Sequence, residues 1–250
     1  MGPLLEVKGI GKSFGGLQAL RDINFAVRAG EMIGIIGPNG AGKTTLFNIL
    51  SGFMPPNSGM VLLDGQNILG KKPYQIVDLG LTRTWQLVKP FSGMKVIEAV
   101  SVPTFSKRYK NINYAGPQGP KGIMQILEGI GLGDKIWEEV ENLNHSELRL
   151  LDISRAMATK PRILLLDEPF SGLSPKETEK ISRMIIDLNK EGLTVLIIEH
   201  RLKELMKLVQ RVIVIHFGEK IAEGPPECII QDPRVIEAYL GERITDLGMA

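Results

Sequence analysis

Residues 32–52 read MIGIIGPNGAGKTTLFNILSG, and this stretch decides the fold. MIGIIG (32–37) is a short, partly β-branched apolar run, which predicts a buried strand. GPNGAGKTT, from Gly37, fits the pattern G-x-x-x-x-G-K-[ST], and TTLFNILSG then opens a helix. Strand, glycine loop and helix in that order make a phosphate cradle. Glycines let backbone N–H groups curl around phosphate oxygens, and the helix N-terminus adds a favourable dipole. Lys43 offers a mobile positive charge to the terminal phosphates, and the Thr44 hydroxyl can ligate Mg²⁺. The loop Gly37, Pro38, Asn39, Gly40, Ala41, Gly42, Lys43, Thr44 and Thr45 is therefore expected to bind ATP with Mg²⁺ and to support its hydrolysis. A glycine turn with a stray lysine is the plain alternative, and the strand-loop-helix setting weighs against it.

Working outward, ILLLD (163–167) and TVLIIE (194–199) resemble MIGIIG. None of the three alternates polar with apolar residues, so an α/β fold is expected, with a parallel sheet covered on both faces. ILLLDE ends in two acids. Asp167, emerging beside the phosphate loop, suits the Mg²⁺ shell, and Glu168 suits polarisation of the attacking water, since phosphoryl transfer needs positioning and charge stabilisation. A solvated strand end is the bland reading of both. His200 follows the third strand, where an imidazole can reach the γ-phosphate, although a lone histidine is more often structural. Gln86, in RTWQ, carries a neutral amide able to reach Mg²⁺ or water, and by itself is a weak signal.

Ser174 and Pro175 mark a helix start and Glu177 completes a capping box. Ile181, Met184, Ile185 and Leu188 keep helical spacing, and Gly192 supplies the stop. Residues 4–31 carry glycine pairs and short alternating runs, which predict antiparallel strands ahead of the core. Between Pro90 and Leu143, VIEAV, GIMQILEGIGL and KIWEEVENL read as short helices joined by a polar stretch, Ser106 to Gly122. This is expected to be a helical insert.

The 250 residues suffice for one substantial core or a core with a small subdomain. A formal net charge of +2 gives no global field for nucleic acid, which is not expected as a partner. The single cysteine, Cys228, excludes an internal disulfide framework. MGPLLEVKGIGKSF lacks the pattern of a signal peptide, so a cytoplasmic location is expected. ILLL (163–166), TVLII (194–198) and RVIVIHF (211–217) are far shorter than the roughly 20 residues needed to span a bilayer.

Together these residues resemble the ATP-binding cassette (ABC) proteins over almost the whole chain. GPNGAGKT is similar to the Walker A motif and LLLDEP to Walker B with its catalytic glutamate. Gln86 stands as the Q-loop residue, His200 as the switch histidine and SGLS (171–174) as the D-loop. Phe14 stands where the family stacks an aromatic on adenine, although as a lone aromatic it could equally be core. The resemblance implies a P-loop ABC ATPase fold: a RecA-like core with an N-terminal antiparallel β layer (1–87 and 156–250) and an inserted α-helical subdomain (88–155), one nucleotide-binding domain over 1–250. It implies catalytic roles for Lys43, Glu168 and His200, and metal ligation through Thr44, Gln86 and Asp167.

The family sandwiches two ATP molecules between two cassettes, each site closed by the other chain's signature, commonly LSGGQ. Here the matching stretch is LNHSE, so Asn144, His145, Ser146 and Glu147 stand toward a partner's ATP. A side chain on Ser146 narrows the approach that glycine allows, although Ser146 could cap the helix and donate its hydroxyl, and Glu147 places a carboxylate near phosphate. Impaired closure of the partner's site is the expectation, and it favours a heterodimer; tolerated drift is the bland reading. GLTRTWQLVKPFSGMKVIEAV (80–100) and IAEGPPECIIQDPRVIEAYLGE (221–242) resemble the ATPase subunits of branched-chain amino acid importers and their amide and urea relatives. A lipopolysaccharide-export ATPase and a catalytically impaired regulatory cassette are the alternatives. The importer reading implies transmembrane permease subunits, received beside Trp85 to Val96, and an extracytoplasmic substrate-binding protein acting indirectly. It also implies a peripheral position on the inner face of the membrane. Lys107, Arg108, Lys110 and Lys121 could face anionic lipid, though a solvated loop is the commoner meaning of such a run.

Overall fold

The computed structural model describes residues 2–85, 91–105 and 119–240. β1 (Leu5–Phe14) and β2 (Leu17–Val27) form an antiparallel hairpin about Gly15 and Gly16, as the glycine-punctuated alternation predicts. A second sheet begins with β3 (Met32–Ile36), which leads through the glycine loop into α1 (Lys43–Leu50). β4 (Ser58–Leu63) and β5 (Gln66–Asn67) extend the first sheet to the order β2-β1-β4-β5.

α2 (Pro73–Leu79) leads to β6 (Leu81–Arg83) at one edge of the second sheet. β7 (Ile163–Asp167) and β8 (Thr194–Ile198) come from the other two predicted runs, and every residue of β3, β7 and β8 is buried. β9 (Arg211–His216) and β10 (Glu219–Gly224) complete the order β10-β9-β3-β8-β7-β6. All neighbours are parallel except β10 against β9.

Alternate side chains of this six-stranded sheet enter two different cores. Ile33, Ile35, Ile163, Leu165, Leu196, Ile198, Ile213 and Ile215 pack with α1 and the antiparallel sheet. Met32, Ile36, Leu164, Leu166, Val195, Ile197, Val212 and Val214 pack against the helices of the opposite face. A continuous apolar run is the sequence of a strand that must satisfy both.

The opposite face carries α3 (Val96–Ser101), followed by a 3-10 turn at Val102–Phe105, then α4 (Gly119–Ile130) and α5 (His145–Ala158). KIWEEVENL is not the helix its composition suggests. Val96 N–H donates to Glu138 O and Val140 N–H to Met94 O, with a bridge between Lys95 and Glu139, so the backbone there is spent on a crossing chain. Only 3-10 turns remain on either side, at Gly133–Lys135 and Val140–Asn142.

α6 (Pro175–Lys190) begins as read, with Ser174 as N-cap and Ser174 N–H donating to Glu177 Oε2 at 2.8 Å. Its C-cap is Glu191, and Gly192 takes φ +99°. α7 (Leu202–Met206) follows the switch segment, and α8 (Pro226–Gln231) and α9 (Pro233–Leu240) close the described chain. The tail thus holds two helices, separated where Asp232 precedes Pro233 and so disfavours helix. Arg211 rivets the two sheets, donating to Glu31 Oε1 at 2.7 Å and Ala26 O at 2.7 Å. Among the described residues, no helix is long and apolar enough to cross a membrane.

Candidate nucleotide site

The loop from Gly37 is shaped by backbone that only glycine fits. Gly37 has φ +152°, and a Cβ there would lie 1.9 Å from Ile215 O; at Gly42, φ +106°, a Cβ would lie 2.5 Å from Ala19 O. Asn39 and Gly40 are exposed at the tip, and Thr44 is exposed at the helix start. Gly218 N–H donates to Ala41 O at 3.1 Å, which seats the loop on the β9–β10 turn. Lys43 is buried, its Nζ donating to Gly37 O at 2.5 Å and Pro38 O at 2.9 Å. The N-terminus of α1 has no side-chain cap and no acid in its first turn. Its field and N–H groups are therefore directed at an anion rather than at the protein's own carboxylates.

Asp167 ends β7, two strands along the sheet from the β3 that leads into the loop, and it is not a solvated strand end. It is buried and accepts from Arg83 Nη2 at 2.5 Å, the two side chains being 3% and 4% exposed. Arg83 also donates to Asn48 Oδ1 at 2.6 Å, which links β6 to α1. Sequence reading missed Arg83; a lone cation in the strand LTR, beside a strand ending in acid, was the available signal. The donors present, an exposed threonine hydroxyl and one carboxylate, are hard oxygens of the kind Mg²⁺ accepts alongside nucleotide phosphates.

Glu168 and His200 meet. His200 Nε2 lies 3.0 Å from Glu168 Oε1, and Glu168 takes φ +50°, a left-handed conformation rare for a side-chain-bearing residue. Its N–H donates to Ile198 O at 2.9 Å, so the chain turns sharply as it leaves β7. The turn is braced by Glu199, another residue the sequence reading passed over. Its buried carboxylate accepts from Phe170 N–H at 2.8 Å, His200 N–H at 2.6 Å and Arg201 N–H at 3.1 Å. Arg201 in turn donates to Leu173 O at 2.7 Å and Thr178 Oγ1 at 2.9 Å. The segments at 168–173 and 199–201 are thus tied together.

Phe14 is 46% exposed, with Lys12 Nζ 5.3 Å from its ring centroid, so it is not core. Gln86 lies outside the described residues, as do Lys107, Arg108 and Lys110; Lys121 is exposed on α4. The residue before Gln86 is gripped by α5: Arg149 Nη1 donates to Trp85 O at 3.0 Å, and Trp85 N–H donates to Asp152 Oδ2 at 2.9 Å. Burial raises the pKa of Asp152 and lowers that of Arg149, with Asp152, Glu168, Glu199 and Asp167 opposing the loss of charge on Arg149.

At LNHSE the cap is Asn144, not Ser146. Asn144 Oδ1 accepts from Glu147 N–H at 2.9 Å, and Glu147 Oε2 accepts from Asn144 N–H at 2.9 Å. Ser146, the second residue of α5, is buried instead of presented outward, because its place in the first turn faces α6. Glu147 is therefore paired, and the N-terminus of α5 is filled by its own side chains.

The fold agrees with comparisons to known proteins. Residues 20–171 match the family model for ABC transporters, and residues 219–244 match that for the branched-chain amino acid ATP-binding cassette transporter. The chain belongs to the ABC transporter ATP-binding cassette family, whose members bind and hydrolyse ATP. Its similarity runs end to end with two bacterial proteins in particular. It is 40% identical to the high-affinity branched-chain amino acid transport ATP-binding protein BraF of Pseudomonas aeruginosa, over 96% of this chain and 98% of that one. It is 41% identical to LivG of Escherichia coli, of the same description, with the same coverage. A solved ATP-binding cassette of an ABC transporter in its ADP conformation superposes with a TM-score of 0.86 at 30% identity, covering 97% of this chain and 100% of that chain.

Proposed function

We propose that this chain is the ATP-hydrolysing subunit that powers import of branched-chain amino acids or related amides or urea. The observation that carries the reading is the Glu168–His200 contact, set at the strand ends beside the Gly37–Thr45 loop. In this reading Lys43 and the loop N–H groups hold the phosphates, and Thr44 and Asp167 hold Mg²⁺, which neutralises charge on the phosphates when bound. Glu168 orients the attacking water, His200 holds Glu168 and faces the γ-phosphate, Phe14 stacks on adenine, and Gln86 reaches the metal shell. Residues 88–155 form the helical subdomain within a single domain. The relatives' shared description and the match over 219–244 support amino acid import over lipopolysaccharide export.

The partners are a second cassette, permease subunits and, indirectly, an extracytoplasmic binding protein; the chain sits peripherally on the inner membrane face. Exposed Trp85 and Phe53, edge to face with centroids 4.7 Å apart, support the permease contact beside Trp85. The self-capped turn Asn144, His145, Ser146 and Glu147 supports a weak lid on the partner's ATP, hence a heterodimer in which the partner supplies the good signature. The test is phosphate release by this chain alone, with its partner, and as Ser146→Gly, alongside ATP-driven uptake of leucine by the assembled transporter in vesicles. Turnover that rises with the partner, and leucine uptake that vanishes with Glu168→Gln, are the expected results. Equal turnover in all three settings overturns the asymmetric pairing, and background release equal to that of Glu168→Gln overturns hydrolysis.

A further inference from the structure

His145 stands where the common signature has glycine; it is exposed, and its ring is engaged by its own chain. Its Nε2 lies 3.1 Å from Ser171 O, in the loop that follows Glu168. The ring also packs on Gly172, φ +76°, so closely that a Cβ there would lie 2.8 Å from Nε2. The next residue, Ser146, is buried and helps hold the Glu177 carboxylate below its ordinary value, which sets it beside the first turn of α6, the helix that the loop leads into. Glu199 at Phe170 and Arg201 at Leu173 hold the same loop from β8 and the segment after it, and Phe170 and Leu173 are buried in the core.

We infer that His145 is a positioning residue that latches the signature turn to the D-loop of the same chain, and so couples the lid offered to the partner's nucleotide with the placement of Glu168. Glycine at this position has no side chain to make the link. The inference rests on the two-cassette reading for its consequence, but the latch itself lies within one chain. When the turn Asn144–Glu147 is displaced by a nucleotide held across the interface, the Ser171 carbonyl is displaced with it. Ser171 is three residues from Glu168, and Ser171 N–H donates to Glu168 O at 3.2 Å, so the shift is passed to the residue that orients water. The degenerate signature is then a connector whose loss is felt at this chain's own site.

The test uses the assembled transporter whose partner cassette has its own catalytic glutamate replaced by glutamine, so that turnover reports this chain's site. His145→Gly should lower kcat about three- to tenfold, the worth of one neutral hydrogen bond, with KM for ATP unchanged. His145→Gln, whose amide nitrogen can reach Ser171 O, should restore most of it. An unchanged kcat, or an equal fall in both variants, overturns the latch. In the isolated chain, amide exchange at Gly172 and Leu173 should quicken by a similar factor in His145→Gly, and unchanged exchange there overturns the latch whatever the assembly does. A wild-type chain that turns over no faster with its partner counts against the pairing instead.

Discussion

The left-handed turn at Glu168 fixes where its carboxylate can go, and a residue in that conformation stores strain of about 1–3 kcal/mol. Replacing the acid while keeping its shape, Glu168→Gln, should lower ATP turnover about 10²–10⁴-fold and leave nucleotide affinity within a few fold, measured by phosphate release and by equilibrium binding. Arg83 acts differently. Its removal as Arg83→Met leaves Asp167 charged and buried without its partner, a loss of about 3–5 kcal/mol in denaturant unfolding. The two predictions separate chemistry from support: the first variant folds as well as the wild type, the second does not. Lys43, Asp167, Glu168 and His200 were legible because each follows a buried apolar run or a glycine loop. Arg83, Arg149 and Glu199 were not, because each is tied to a distant segment, at Asp167, Trp85 and Phe170, which lie 84, 64 and 29 residues away along the chain and are brought close only by the fold.

Two helix N-termini make the contrast at the level of elements. α1 keeps its positive end open, whereas α5 fills its own with Asn144 and Glu147. The capping box at Ser174 and Glu177 marked α6 correctly from sequence, since capping is a local contact. KIWEEVENL was misread because its pairing with Met94–Val96 is tertiary and overrides local propensity. Ser174→Ala should cost about 0.5–2 kcal/mol of stability. Glu177 also makes that helix start sensitive to acid. Its carboxyl is held below its ordinary value of 4.5, first by the Ser174 hydroxyl and N–H, then by Ser146 and His145. The native state thus binds fewer protons than the unfolded chain. The contribution is fully present above the unfolded value and is lost as pH falls through the native one. Melting curves from about pH 5 to about pH 3 should show a shallower fall in Tm for Glu177→Gln than for wild type.

For the whole molecule, ligand binding and folding are linked. ATP at a hundredfold excess over its Kd should stabilise the chain by about 2.7 kcal/mol, read as a rise in Tm, and Lys43→Ala should abolish the rise at the same concentration. Where that stabilisation falls depends on the six-stranded sheet. It is a wall between two interiors, and α1 with the nucleotide loop is anchored in only one of them, beside the antiparallel layer. The other interior holds α3 to α6 and gains nothing directly from phosphate contacts. Hydrogen exchange with nucleotide bound should therefore slow on β1, β2 and α1 while α4 keeps its free-state rate. A cassette built this way can loosen its helical half while its grip on nucleotide stays intact.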